Sequence, residues 1–206
     1  MAKLESSFRN MVVSLVTISM VASAVLAGAY IMTKDKIDEQ KKQKEEKAIL
    51  EVLPNKGAGV FTVEAKHEEG AKQIVYRAYS EKDSTYVGAA VKSIGNGFGG
   101  EFTIMIGFDA DTVIVNYDVL EHKETPGLGD NMGKWFKNNE KAGQNIIGRK
   151  ATNFVVTKEG SKNESEVDAI TAATISSDAF ITAVNDAYMA LKSDKEEHQK
   201  GNGGTK

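Results

Sequence analysis

The chain is 206 residues long, sets 26 Lys and Arg against 29 Asp and Glu for a formal net charge of −3, and contains no cysteine. That length accommodates one membrane segment and one domain with a real core. The missing thiols exclude disulfides, cysteine nucleophiles, cysteine-ligated iron–sulfur clusters and CxxCH haem attachment. His67, His122 and His198 are too scattered for a structural zinc, and a mildly acidic body without a basic, aromatic-studded face excludes nucleic acid as a partner.

Met11 to Met32 is an uncharged run of 22 residues. As a helix it would be about 33 Å long, against about 30 Å of bilayer core. Ala22-Ser-Ala24 also fits a signal-peptide cleavage site, but the apolar run continues eight residues beyond it, which favours a retained anchor over 11–33. Residues 1–10 precede that anchor. Lys3 and Arg9 lie before it and Lys34, Lys36, Lys41, Lys42, Lys44 and Lys47 after it, so charge counting alone would put the large domain in the cytoplasm. Residues 34–55 read as a charged, solvated helical spacer with opposite charges three and four apart, ended by Pro54.

The domain that follows, 56–193, begins with strand-like runs at 72–79 and 86–92. Glu101 to Phe108 alternates so that Phe102, Ile104, Ile106 and Phe108 share a face. Asp109-Ala-Asp111 signals a turn, and 112–120 returns as a strand. Gly95-Asn-Gly-Phe-Gly-Gly100 matches G-x-G-x-x-G, yet a strand follows it where a dinucleotide site needs a helix, so it reads as a tight glycine loop. A further strand is expected at 153–157, and Trp135 and Phe136 are expected in the core.

Two stretches carry chemistry. Glu124-Thr-Pro-Gly-Leu-Gly129 combines a rigid Pro-Gly turn with a carboxylate, a hydroxyl and glycines that let a flat ring approach the backbone. Asp168-Ala-Ile-Thr-Ala-Ala-Thr-Ile-Ser-Ser177 places Thr174 beside small Ala172 and Ala173, just before a helical stripe of Phe180, Val184, Ala187, Tyr188 and Leu191. Ser176 or Ser177 is the expected cap, and a helix start there would favour a phosphate. The pair His122 and Glu124 has no nucleophile beside it to suggest acid–base catalysis. The polar, Gly-rich tail, 194–206, reads as flexible.

Together these stretches resemble the FMN-binding domain family, in which flavin mononucleotide is joined through its phosphate to a threonine. Asp168, Thr171, Ala173 and Thr174 match the family's attachment pattern, and Ala172 stands where the family usually has Gly, adding a methyl and removing easy access to positive φ. The resemblance implies that Thr174 accepts covalent FMN, transferred from FAD by a separate flavin transferase that recognises Asp168, Thr171, Ala173 and Thr174. It further implies a cofactor site formed by Glu124, Thr125, Gly127, Leu128, Thr171, Ala172, Ala173, Thr174 and Ser176, with no catalytic residue and no metal.

The implied fold class is α+β, a single N-terminal transmembrane helix followed by a mostly antiparallel sheet with flanking helices. Over the whole chain the pattern is similar to the G subunits of Rnf complexes, ion-translocating systems that pass electrons between ferredoxin and NAD. That likeness implies partner subunits in a membrane electron transport complex. It also implies a single pass through the cytoplasmic membrane with the flavin domain outside, opposite to the charge count. Other readings stay open: the equivalent C subunit of the sodium-translocating NADH:quinone reductase, a stand-alone membrane-tethered flavin reductase, and an anchored interaction module without flavin.

Overall fold

The computed structural model describes residues 7–64, 72–140, 143–158 and 160–202. His67, residues 1–6 of the expected cytoplasmic start and residues 203–206 of the expected tail lie outside them. The chain opens with α1 (Phe8–Val52), and two compact units divide within that helix, one ending at Lys44 and the other beginning at Glu45. The first unit is long and apolar enough to cross a membrane, with Leu15, Ile18, Leu26 and Ile31 all exposed. Its hydroxyls turn inward: Thr17 donates to the Val13 carbonyl at 2.8 Å and Thr33 to that of Ala29 at 2.9 Å.

In chain order the second unit contains β1 (Val60–Glu64), β2 (Gln73–Ser80), β3 (Tyr86–Gly97), β4 (Gly100–Asp109), β5 (Ile114–Glu121), α2 (Met132–Trp135), β6 (Val155–Thr157), β7 (Glu166–Asp168) and α3 (Thr174–Asn202). The first five strands form one antiparallel meander in the order β1-β2-β3-β4-β5, while β6 and β7 make a small parallel pair. The fold class is the expected α+β arrangement. Alternation along β4 puts Phe102, Ile104, Ile106 and Phe108 on the face that α3 covers with Phe180, Val184, Ala187 and Leu191. Phe136, just after α2, stacks on Phe180 with ring centroids 4.5 Å apart. Tyr117 on β5 donates to the Met132 carbonyl at 2.7 Å and so fixes α2 to the sheet.

The opposite face is also buried. Met105, Ala78 and Ala90 pack against Ala48, Ile49, Val52 and Leu53 from the end of α1. Glu45 joins them by accepting hydrogen bonds from Tyr76 at 2.8 Å and Lys92 at 2.7 Å. The solvated spacer expected over 34–55 is therefore corrected at its end. Residues 45–53 form a layer of the domain, because apolar groups at i, i+1, i+4 and i+5 make a stripe within an otherwise charged run. A Cβ on Gly107 would collide with the Val52 carbonyl, which explains the small residue in mid-strand.

At the other end, α3 continues through Asn202, so 194–202 is helix rather than flexible tail. Asp194, only 8 % exposed, holds that extension on β2 through a two-pronged pair with Arg77, whose Nε lies 2.7 Å from its carboxylate. This charge-assisted bond lifts the Arg77 guanidinium above its ordinary range, partly offset by burial.

Candidate functional site: a cavity at the start of the last helix

The turn into α3 is built from residues 170–173. Ala173 donates its N–H to the Ile170 carbonyl at 3.0 Å, and both side chains are buried, which pins the turn to the core. Between them Ala172 takes φ +61°, in the left-handed region. Thr174 is the first residue of α3, three positions before the expected start at Ser177. Ser177 is not the cap. It is fully buried inside the first turn, where its hydroxyl accepts the Ile170 N–H at 2.8 Å and donates to the Ala173 carbonyl at 2.9 Å. Thr174 is half-buried, and the first-turn N–H groups around it have no carbonyl of their own helix to bond.

Glu124 joins this turn to the rest of the site. Its side chain is buried at 5 % exposure. One carboxylate oxygen accepts the Gly99 N–H at 3.1 Å and the other accepts the Ser176 hydroxyl at 2.8 Å. Gly97, Gly99 and Gly129 surround it, and the space admits nothing larger. A Cβ on Gly97 or Gly129 would collide with the Glu124 carboxylate, and one on Gly99 would collide with the Lys123 carbonyl. The G-x-G-x-x-G stretch is thus the tip of the β3–β4 hairpin, where Gly97 pairs with Gly100 across Phe98 and Gly99. The Pro-Gly segment forms a β-turn, with the Leu128 N–H on the Thr125 carbonyl at 3.1 Å and Gly127 at φ +79°.

These pieces line an open cavity of about 390 Å³. Of the residues expected at a cofactor site, Glu124, Thr125, Leu128, Ala172, Ala173, Thr174 and Ser176 line it. Gly127 shapes the turn without lining the cavity, and Thr171 is exposed beside it. Phe98, Gly129 and Ile175 line it too and were not expected there. The one signal for Phe98 in the sequence is its place within the glycine loop, a stretch that reads only as a connection. A second cavity, of about 540 Å³, shares Thr174 and Ile175 and runs along α3 past Asp178, Thr182 and Asp186, with Lys72, Glu101 and Lys158 along it.

Three candidates lie elsewhere. Asp168, expected in the attachment pattern, accepts the Ser161 N–H at 2.6 Å and does not line the cavity. Its backbone carbonyl receives the Trp135 indole N–H at 2.9 Å, and Trp135 packs on the core away from the cavity. His122 is exposed, and among the described residues no cluster of His, Asp or Glu could hold a metal ion.

The cavity thus lies between a glycine-walled hairpin, a Pro-Gly turn and a hydroxyl-bearing helix start. Residues 97–189 match the FMN-binding domain family. The G subunit of the Na⁺-translocating ferredoxin:NAD⁺ oxidoreductase complex of Acetobacterium woodii is 33% identical over 182 residues, covering 83% of this chain and 85% of the relative. The G subunit of the ion-translocating oxidoreductase complex of Methanosarcina acetivorans is 30% identical over 182 residues, with 86% and 91% covered. The Aliivibrio fischeri counterpart is 29% identical over 189 residues, with 86% and 87% covered. A crystal structure of Shewanella oneidensis NqrC superimposes with a TM-score of 0.41 at 18% identity, over 59% of this chain and 61% of that one. The chain belongs to the family of G subunits of ion-translocating oxidoreductase complexes, with their FMN-binding domain.

Proposed function

We propose that this chain is the electron-carrying subunit of a membrane-bound ion-translocating ferredoxin:NAD oxidoreductase complex, working through FMN esterified by its phosphate to Thr174. The observation that carries this reading is the position of Thr174, first residue of α3 and part of the wall of the cavity of about 390 Å³. The residues fit the group. A helix start offers N–H donors and a positive dipole end to a phosphate. Phe98 and Leu128 give apolar walls to a flat ring, and the glycines around Glu124 keep backbone close to the cavity without filling it. FMN, when bound, supplies reversible electron uptake and release, while the protein supplies attachment and electrostatics.

Attachment asks one thing of the chain. Thr174 Oγ displaces AMP from the FMN phosphate of FAD on a flavin transferase, forming the Oγ–P bond, breaking the bond to AMP and giving up its proton. Residues 11–33 anchor the domain in the cytoplasmic membrane, the domain lies outside, and its electron partners are neighbouring subunits. The test is coexpression with a flavin transferase, followed by intact mass and in-gel fluorescence of the denatured chain. The wild type is expected to carry one FMN adduct and Thr174→Ala none. An unmodified wild type beside a modified control substrate would remove the covalent relay.

A further inference from the structure

Glu124 is a buried acid with no cation bonded to it among the described residues. Its two oxygens lie on the Gly99 N–H at 3.1 Å and the Ser176 hydroxyl at 2.8 Å. It lines the same cavity as Thr174 and is itself only 5 % exposed, with Gly97 and Gly129 packed against its carboxylate. A fixed negative charge in a poorly screened wall acts on its neighbours far more strongly than one in water. The neighbouring basic side chain on the same loop, Lys123, is exposed and therefore screened.

We infer that Glu124 is the residue that sets the reduction potential of this site, holding it low through its charge rather than by bonding the cofactor. The inference rests on the placement of FMN at Thr174 proposed above. If the ring of FMN were held in this cavity, the Glu124 carboxylate would oppose the added negative charge of its reduced form. Electron release to the next carrier is favoured by the same amount. Ser176 and Gly99 moderate the effect, because each donor they supply spreads part of the carboxylate charge.

The experiment is a spectroelectrochemical titration of the full-length, flavinylated chain, with covalent FMN checked by intact mass before each run. Glu124→Gln keeps the shape and removes the charge. It is expected to favour the reduced form at least tenfold, a rise of about 59 mV for a one-electron couple. Ser176→Ala keeps the charge and removes one of its donors, so its potential is expected to fall. Opposite signs support the inference. An unchanged potential in Glu124→Gln overturns it, as do shifts of the same sign in both variants, which mark a role in packing alone. If Glu124→Gln does not load, the sign of the Ser176→Ala shift decides, a rise or no change counting against. An adduct missing from the wild type would instead sink the attachment reading, and this inference with it.

Discussion

The cradle around Glu124 and the turn into α3 face one cavity but meet their geometric demands differently. In the cradle, the positions where backbone must come close to the carboxylate, Gly97 and Gly129, are glycines, with no side chain to collide with it. In the turn, the position that must adopt φ +61° is Ala172, and a methyl sits where none is favoured. Left-handed geometry costs an L-residue about 1–2 kcal/mol, and the burial of Ile170 and Ala173 on either side offsets it. One half of the site is therefore intolerant of addition, while the other half stands to gain from removal.

Gly129→Ala should produce the largest effect, because its Cβ would meet the Glu124 carboxylate and lie 2.7 Å from Ser176 Oγ. Overpacking of this kind costs about 1–3 kcal/mol. A denaturant midpoint equal to wild type would mean that the cradle is looser than described. Ala172→Gly should act in the other direction, stabilising by about 0.5–1 kcal/mol once the extra backbone entropy of glycine is subtracted from the relieved strain. A lowered melting temperature for this variant would erase the contrast between the two halves.

The smallest effect is expected far from both. The Tyr86 hydroxyl is buried and has no hydrogen-bond partner among the described residues, so Tyr86→Phe should be neutral near pH 7. Burial pushes Tyr86, and likewise Tyr76 and Tyr117, above the ordinary tyrosine value near 10. The folded chain then keeps these protons to higher pH than the unfolded one. Their contribution is complete below about pH 10 and lost as the pH rises beyond it. Melting curves from pH 7 to 11 should show this alkaline loss, reduced in Tyr86→Phe; a variant as alkali-sensitive as wild type would contradict the assignment.

Much of the site was legible because its residues are small, hydroxylic or conformationally special, and such residues announce themselves in sequence. Thr174, Ala173, Thr125 and Leu128 line one cavity. Phe98 was hidden because the glycines around it read only as a connecting loop, and only the hairpin register places it at the tip. Ser177 looked like a cap because serine is a good one; tertiary contacts with Ile170 drew it inside the helix instead. The sheet followed from alternation on β4 and β5, whereas β7 is three residues long and β1 five, too short for periodicity to show. The packing of residues 45–53 was masked by the lysines and glutamates around them.

That last layer bears on how the domain is to be isolated. The charged run before Pro54 invites a cut at about residue 56, which would yield a fragment without its membrane helix. Such a fragment would also have lost the lid of its second core, exposing Ala78, Ala90 and Met105 on a naked sheet face. Cutting ahead of Glu45 removes the membrane-length segment and leaves both faces of the sheet covered.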